Sequence, residues 1–197
     1  MMRSWNDIEG LFATFSEQIL RRKMSQMEWV DQFKAVYERG SAAYGSGRQD
    51  PGSMFDDTDR QFLASIGATD QEIFDYIEDA HHGGDPSFED VLAVTAIRFD
   101  YFQTQMGGAF PDRLVKESDL PRKTDAVDGI SWLPRIIAKA RAKLRGELPP
   151  ELMYGCGGDR PFLKRAGIRL QEFLECVRDA GDDDAAIVAF YKSRAGG

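Results

Sequence analysis

The sequence predicts an all-α protein of two tandem helical repeats, related by pseudo-twofold symmetry, with an extra helix at the N-terminus. Three observations carry that expectation. Apolar residues recur at steps of three and four along nearly the whole chain, the period of helices that bury one face. No run alternates convincingly at period two, so β-structure should be negligible. Residues 59–80 (DRQFLASIGATDQEIFDYIEDA) also return without a gap as residues 159–180 (DRPFLKRAGIRLQEFLECVRDA), with 9 of 22 positions identical. The identities include Asp59/Asp159, Arg60/Arg160, Phe62/Phe162, Leu63/Leu163 and Gly67/Gly167. A tandem duplication makes about half the chain one structural unit.

The elements follow in order. Trp5, Ile8, Leu11, Phe12, Phe15 and Ile19 form a helical stripe behind Ser4, which predicts the extra helix over residues 4–21. Ser25 with Glu28 makes a capping box, and Trp29, Val30, Phe33, Val36 and Tyr37 line one face up to Gly40. The Gly- and Ser-rich stretch from Ser41 to Ser53 reads as a loop. A short helix from about Asp59 to Ile66 should close at Gly67, and Thr69 with Glu72 should open the next. After HHGGDP, Ser87 opens a longer helix carrying Val91, Leu92, Val94 and Phe102.

The second copy repeats this order. Ser131 should cap a helix with Leu133, Ile136, Ile137, Ala140 and Leu144 on its apolar side, ending at Gly146. Basic residues between Arg135 and Arg145 read as the polar face of that helix. Asp159 should cap a short helix that stops at Gly167, and Gly181 and Asp184 should supply a stop and the following cap. Trp29 and Trp132 occupy comparable early places. Residues 106–128, rich in Gly, Pro and mixed charge, read as a linker between residues 1–105 and residues 129–197. Each copy is marginal for a private core, so one shared core is as reasonable as two.

Composition narrows the function classes. The chain has 197 residues, 42% apolar and 29% charged, with net charge -8 and pI near 4.9. Nucleic acid would meet net repulsion. No stretch is apolar enough for a membrane span and the start has no secretory h-region. Two cysteines, Cys156 and Cys176, are too few for a secreted framework, so a cytoplasmic setting with reduced thiols is expected. No cofactor is implied, and a homo-oligomer is compatible with the aromatic content.

The second copy resembles a bacterial family known only as domain of unknown function 5069. The resemblance spans about residues 119–194. It rests on GISWLPRIIAKARAKLRG (Gly129–Gly146), then Tyr154-Gly-Cys156-Gly-Gly-Asp159-Arg-Pro-Phe162-Leu163, then Gly167-Ile168. The family pattern has an acidic residue where this helix has Ala138. In the first copy, Phe55 takes the place of the tyrosine and no cysteine occurs. The resemblance implies a helical fold and no particular activity.

The candidate binding residues are Tyr154, Cys156, Asp159 and Arg160 in the glycine-rich turn, with Lys139 or Arg141 lining the approach. Glycines let a backbone approach a ligand, tyrosine gives a flat face with a polar tip, and the preceding helix gives positive charge. The same turn would also serve as a different loop solution with no ligand. Arg60 and Arg160, each placed at a helix start, should be held by a carboxylate such as Glu72 or Glu172, or by an acidic ligand between the repeats. His81 and His82 lack further ligands at zinc spacing, and the aspartates at 56–59 and 182–184 lack the calcium-loop pattern, so no metal is expected. No catalytic signature occurs. The leading expectation is a non-enzymatic binding or scaffolding module whose small-molecule or protein partner uses the groove between repeats. The alternative is a small enzyme or redox-responsive protein using Cys156.

Overall fold

The computed structural model describes residues 28–196; the expected helix over 4–21 and the cap at Ser25 lie outside the described residues. The described chain is mostly helical. Its helices are α1 (residues 28–45), α2 (Pro51–Met54), α3 (Asp57–Ser65), α4 (Asp70–Gly83) and α5 (Phe88–Thr104), then α6 (Leu133–Arg145), α7 (Asp159–Arg165), α8 (Leu170–Ala180) and α9 (Asp184–Ala195). A single 3-10 turn covers Glu117–Asp119.

Among the described residues the one sheet is a small antiparallel hairpin, β1 (Ala126–Val127) on β2 (Ile130–Ser131). Its turn is Asp128-Gly129, both at positive φ (51° and 78°), the backbone that tight hairpins require. Ser131 is thus in a strand and does not cap α6. The cap position belongs to Trp132, whose backbone is left-handed at φ 73° and whose side chain makes no capping bond.

Helix α1 continues five residues beyond the expected stop at Gly40. Ala43 and Tyr44 keep the apolar stripe of Phe33, Val36 and Tyr37 going, and all are buried. Gly40 is small for packing reasons, because a Cβ there would meet the Phe55 ring at 2.8 Å and Ile77 at 2.9 Å. Other boundaries fall as their chemistry dictates. Thr69 accepts from the Glu72 N–H, Ser87 from the Asp90 N–H, and Gly67 and Gly146 turn at φ 75° and 67°. Asp183, one residue before the expected cap, accepts from the Ala186 N–H.

Burial recurs at a spacing of one hundred residues. Phe33/Leu133, Val36/Ile136, Phe62/Phe162, Leu63/Leu163, Ile73/Phe173 and Ile77/Val177 are buried pair by pair. Trp29 and Trp132 are not counterparts in this register and do different work. Trp29 packs edge-on against Phe99 at 5.3 Å, while Trp132 reaches the α7 start.

Most of the buried apolar residues form one cluster drawn from both halves. Helix α5, which belongs to the first half, packs on α6 and α8 of the second. Helix α6 is buried nearly all round. Arg135, Lys139 and Lys143 are enclosed along with its apolar stripe, which corrects the expected solvated basic face. Each has a carboxylate from a remote part of the chain: Glu117, Asp159 and Glu72 respectively.

Candidate functional site

Asp159 is the first residue of α7, fully buried, and not its cap. Its carboxylate accepts from Lys139 Nζ, from Trp132 Nε1 at 3.0 Å and from the Gly155 N–H at 3.0 Å. Three donors, one of them charged, repay the removal of a carboxylate from water. The left-handed backbone at Trp132 aims the indole at this carboxylate, which is a reason for the local strain. Lys139 Nζ also donates to Cys156 Sγ at 3.2 Å, and Cys156 is half-buried.

The glycines of the turn answer to packing. A Cβ at Gly155 would meet Leu170 at 2.9 Å, and one at Gly158 would meet the Trp132 ring at 2.5 Å. Tyr154 is buried, with its hydroxyl donating to the Leu170 carbonyl at 2.8 Å.

Asp59, one hundred residues earlier, is likewise buried and paired with a cation, but has no indole or turn N–H on its carboxylate among the described residues. It is buried inside α3, three residues past the cap Asp56, and pairs with Arg39. Arg39 and Lys139 are one hundred residues apart, as are their carboxylates. Arg60 donates to the Phe55 carbonyl and Arg160 to the Gly155 carbonyl, so Met54 and not Phe55 stands opposite Tyr154.

The expected partners of the arginines are replaced. Arg160 pairs with Asp79 at 2.7 Å and Asp85 at 3.0 Å, and Arg60 with Asp57 at 3.3 Å; neither uses Glu72 or Glu172. Arg141 turns to the far side of α6, where it meets the Gly181 carbonyl and Asp184. Lys139, Cys156 and Asp159 therefore come together, Tyr154 backs onto them, and Arg141 and Arg160 lie apart.

A larger feature lies on the other side of Tyr154. A cavity of about 450 Å³ opens between the halves. Helix α4 contributes Glu72, Asp75 and Tyr76, α5 contributes Arg98, and α6 contributes Lys143, followed by its cap Gly146. Phe110, Pro111 and Leu114 and the stretch from Leu148 to Tyr154 complete an apolar wall. Of the candidate residues named from sequence, only Tyr154 touches it.

Its charges are unusual. Burial pushes the Lys143 ammonium down to about 7; the Glu72 carboxylate is in contact with it, without an aligned hydrogen bond. Burial raises Asp75 to about 6, against the amide of Gln71 and with help from Glu78 and Asp79. Burial also lowers Arg98 to about 10, which leaves it cationic at neutral pH. Perturbed groups facing a cavity mark a place where function is to be sought.

Residues 119–195 match the family model described as Domain of unknown function (DUF5069). No curated protein and no solved structure matches the chain. The DUF5069 stretch holds the Lys139–Asp159 pair and one wall of the cavity, including Lys143. Glu72, Asp75 and Arg98 come from outside it. The cavity is thus assembled across the boundary of the DUF5069 match.

Among the described residues no helix is long and apolar enough to cross a membrane, and no group of His, Cys, Asp and Glu is arranged to hold a metal ion. His81 and His82 sit in the last turn of α4, where His81 meets the Ser41 hydroxyl at 2.9 Å.

Proposed function

We propose that this chain is a small-molecule binding module, non-enzymatic, with its ligand held in the cleft between two duplicated halves. The units are residues 1–105 and 129–197, joined by 106–128, related by a pseudo-twofold axis and sharing one core. Recurrent burial and the Arg39–Asp59 and Lys139–Asp159 pairs, all at a spacing of one hundred residues, support the duplication.

One observation carries the binding reading: a cavity of about 450 Å³ with walls from both halves and buried charges on them. That volume suits a compact metabolite. Binding is favoured over catalysis because both tyrosine hydroxyls of the cavity wall are committed, Tyr76 to the Tyr154 carbonyl and Tyr154 to that of Leu170. A cytoplasmic location fits the two free thiols.

The test is native mass spectrometry of the purified protein beside Leu152→Trp, which fills the cleft. Expected is a bound small molecule in the wild type that Leu152→Trp lacks. Equal occupancy in both would put the ligand elsewhere and end this reading. Superposition of residues 33–80 on 133–180 in a crystal structure tests the duplication.

A second reading keeps Cys156 as a reactive thiol. It is favoured by the 3.2 Å contact from Lys139 Nζ to a half-exposed sulfur. Asp159, which takes the main share of that lysine's charge, weighs against it.

A further inference from the structure

The cleft's charges differ in what already balances them. Lys143 has Glu72 beside it. Among the described residues Arg98 has no such partner. It sits in the middle of α5 with 1% exposure. Its guanidinium lies beside the packed pair of Phe102 and Phe110 rings, at 5.0 and 5.9 Å from their centroids. Nη1 reaches only the thioether of Met106, at 3.4 Å, and Nη2 is buried with no partner among the described residues.

Enclosing an unpaired cation is costly, and chains normally enclose one only where an anion or several acceptors meet it. The carbonyl end of α6, at Gly146, offers a partial charge and no aligned hydrogen bond. Gly146 also leaves room for the guanidinium, since a Cβ there would lie 2.5 Å from Nη2.

We propose that the cleft receives an organic carboxylate, its anionic head on Arg98 and its hydrocarbon portion along Leu114, Leu148, Leu152 and Met153. This rests on the cleft reading above and adds the ligand's chemical class. A planar carboxylate matches the fork of a guanidinium. The local balance of charge limits the ligand to a monoanion. Among the described residues one cation is free, whereas Asp70, Glu72 and Asp75 on the α4 wall would repel a second negative charge. The apolar wall argues for a hydrocarbon body, and Leu114, 51% exposed, stands where that body would enter.

The experiment is calorimetric titration of the whole chain with hexanoate, 1-hexanol and hexyl phosphate. It is repeated on Arg98→Met, Arg98→Lys and Leu152→Trp, with thermal unfolding of each variant. Expected is hexanoate binding about tenfold or more tighter than hexanol. Arg98→Met should reduce hexanoate to the level of hexanol while melting no lower than the wild type, because an unpaired buried charge has gone. If Arg98→Met does not fold, Arg98→Lys carries the comparison and should keep a weakened preference for hexanoate.

Hexanol binding as well as hexanoate would leave the cleft reading standing and overturn the carboxylate. Tighter binding of hexyl phosphate would overturn the monoanion. Hexanoate binding that survives Leu152→Trp would place the anion outside the cleft and overturn the proposal. No binding of any of the three would remove both readings for ligands of this size.

Discussion

The hydroxyl of Tyr76 donates to the backbone carbonyl of Tyr154 at 2.9 Å, across 78 residues of sequence. Both rings are buried, and the bond joins α4 of the first half to the turn before α7 in the second. Tyr76→Phe leaves that carbonyl without a partner, and Tyr154→Phe does the same to the carbonyl of Leu170. Each should lower stability by about 1–3 kcal/mol in urea melts, with the fold retained. Loss of well under half of that range in both variants would mean that the halves are not joined through these tyrosines.

Asp159 and Asp59 are each buried in the first turn of a short helix, but their cations differ. Lys139 is enclosed, whereas the Arg39 side chain is 57% exposed. Asp159→Ala strands a buried ammonium and should cost about 3–5 kcal/mol. Asp59→Ala frees an arginine that turns into solvent, and should cost clearly less. Denaturant melts of the two variants side by side check the ordering; equal losses would contradict it.

Stability should pass through a trough near neutral pH. Folded Asp75 titrates at about 6 against 3.8 ordinarily. Between those values the folded chain holds a proton that the unfolded chain has lost, so stability falls as pH rises through that window. Lys143 titrates at about 7 against 10.5. There the unfolded chain holds the extra proton, and stability climbs from about pH 7 towards 10.5. Asp75→Asn should flatten the acid arm and Lys143→Met the alkaline arm. Profiles of both variants that overlay the wild type would refute the assignment.

The two thiols should react in a fixed order. Burial, then the charge of Asp179, raises Cys176, whereas Cys156 faces the ammonium of Lys139. Iodoacetamide near neutral pH, followed by peptide mass mapping, should label Cys156 first. Earlier labelling of Cys176 would remove the case for a reactive Cys156.

What the sequence discloses is local. Helical period, the Thr69 and Ser87 caps and the turns at Gly67 and Gly146 depend on residues within four or five positions, and they stand in the structure as expected. The end of α1 was masked because Gly40 has the composition of a stop, although its neighbours Phe55 and Ile77 require it to be small. The buried cations were masked for a longer-range reason. Arg135, Lys139 and Lys143 repeat every four residues and look like a solvated face, while Glu117, Asp159 and Glu72 come from other elements. A signal was available: α6 contains no acidic residue. Solvated helix faces usually interleave both signs.

The cleft was harder still. Arg98 lies inside an apolar helical run, and nothing nearby in sequence indicates that it reaches Gly146. Asp128-Gly129 did carry a hairpin signal, which the surrounding Pro and charge obscured.

Helix α5 packs on α6 and α8 although it lies outside residues 119–195. A polypeptide cut down to that stretch would lose Val91, Val94 and Ile97 from its own interior and present a bare greasy seam to water. Self-association is the ordinary remedy for such a seam. On this view the first half acts as a permanently tethered partner, supplied at a local concentration that no free molecule would match.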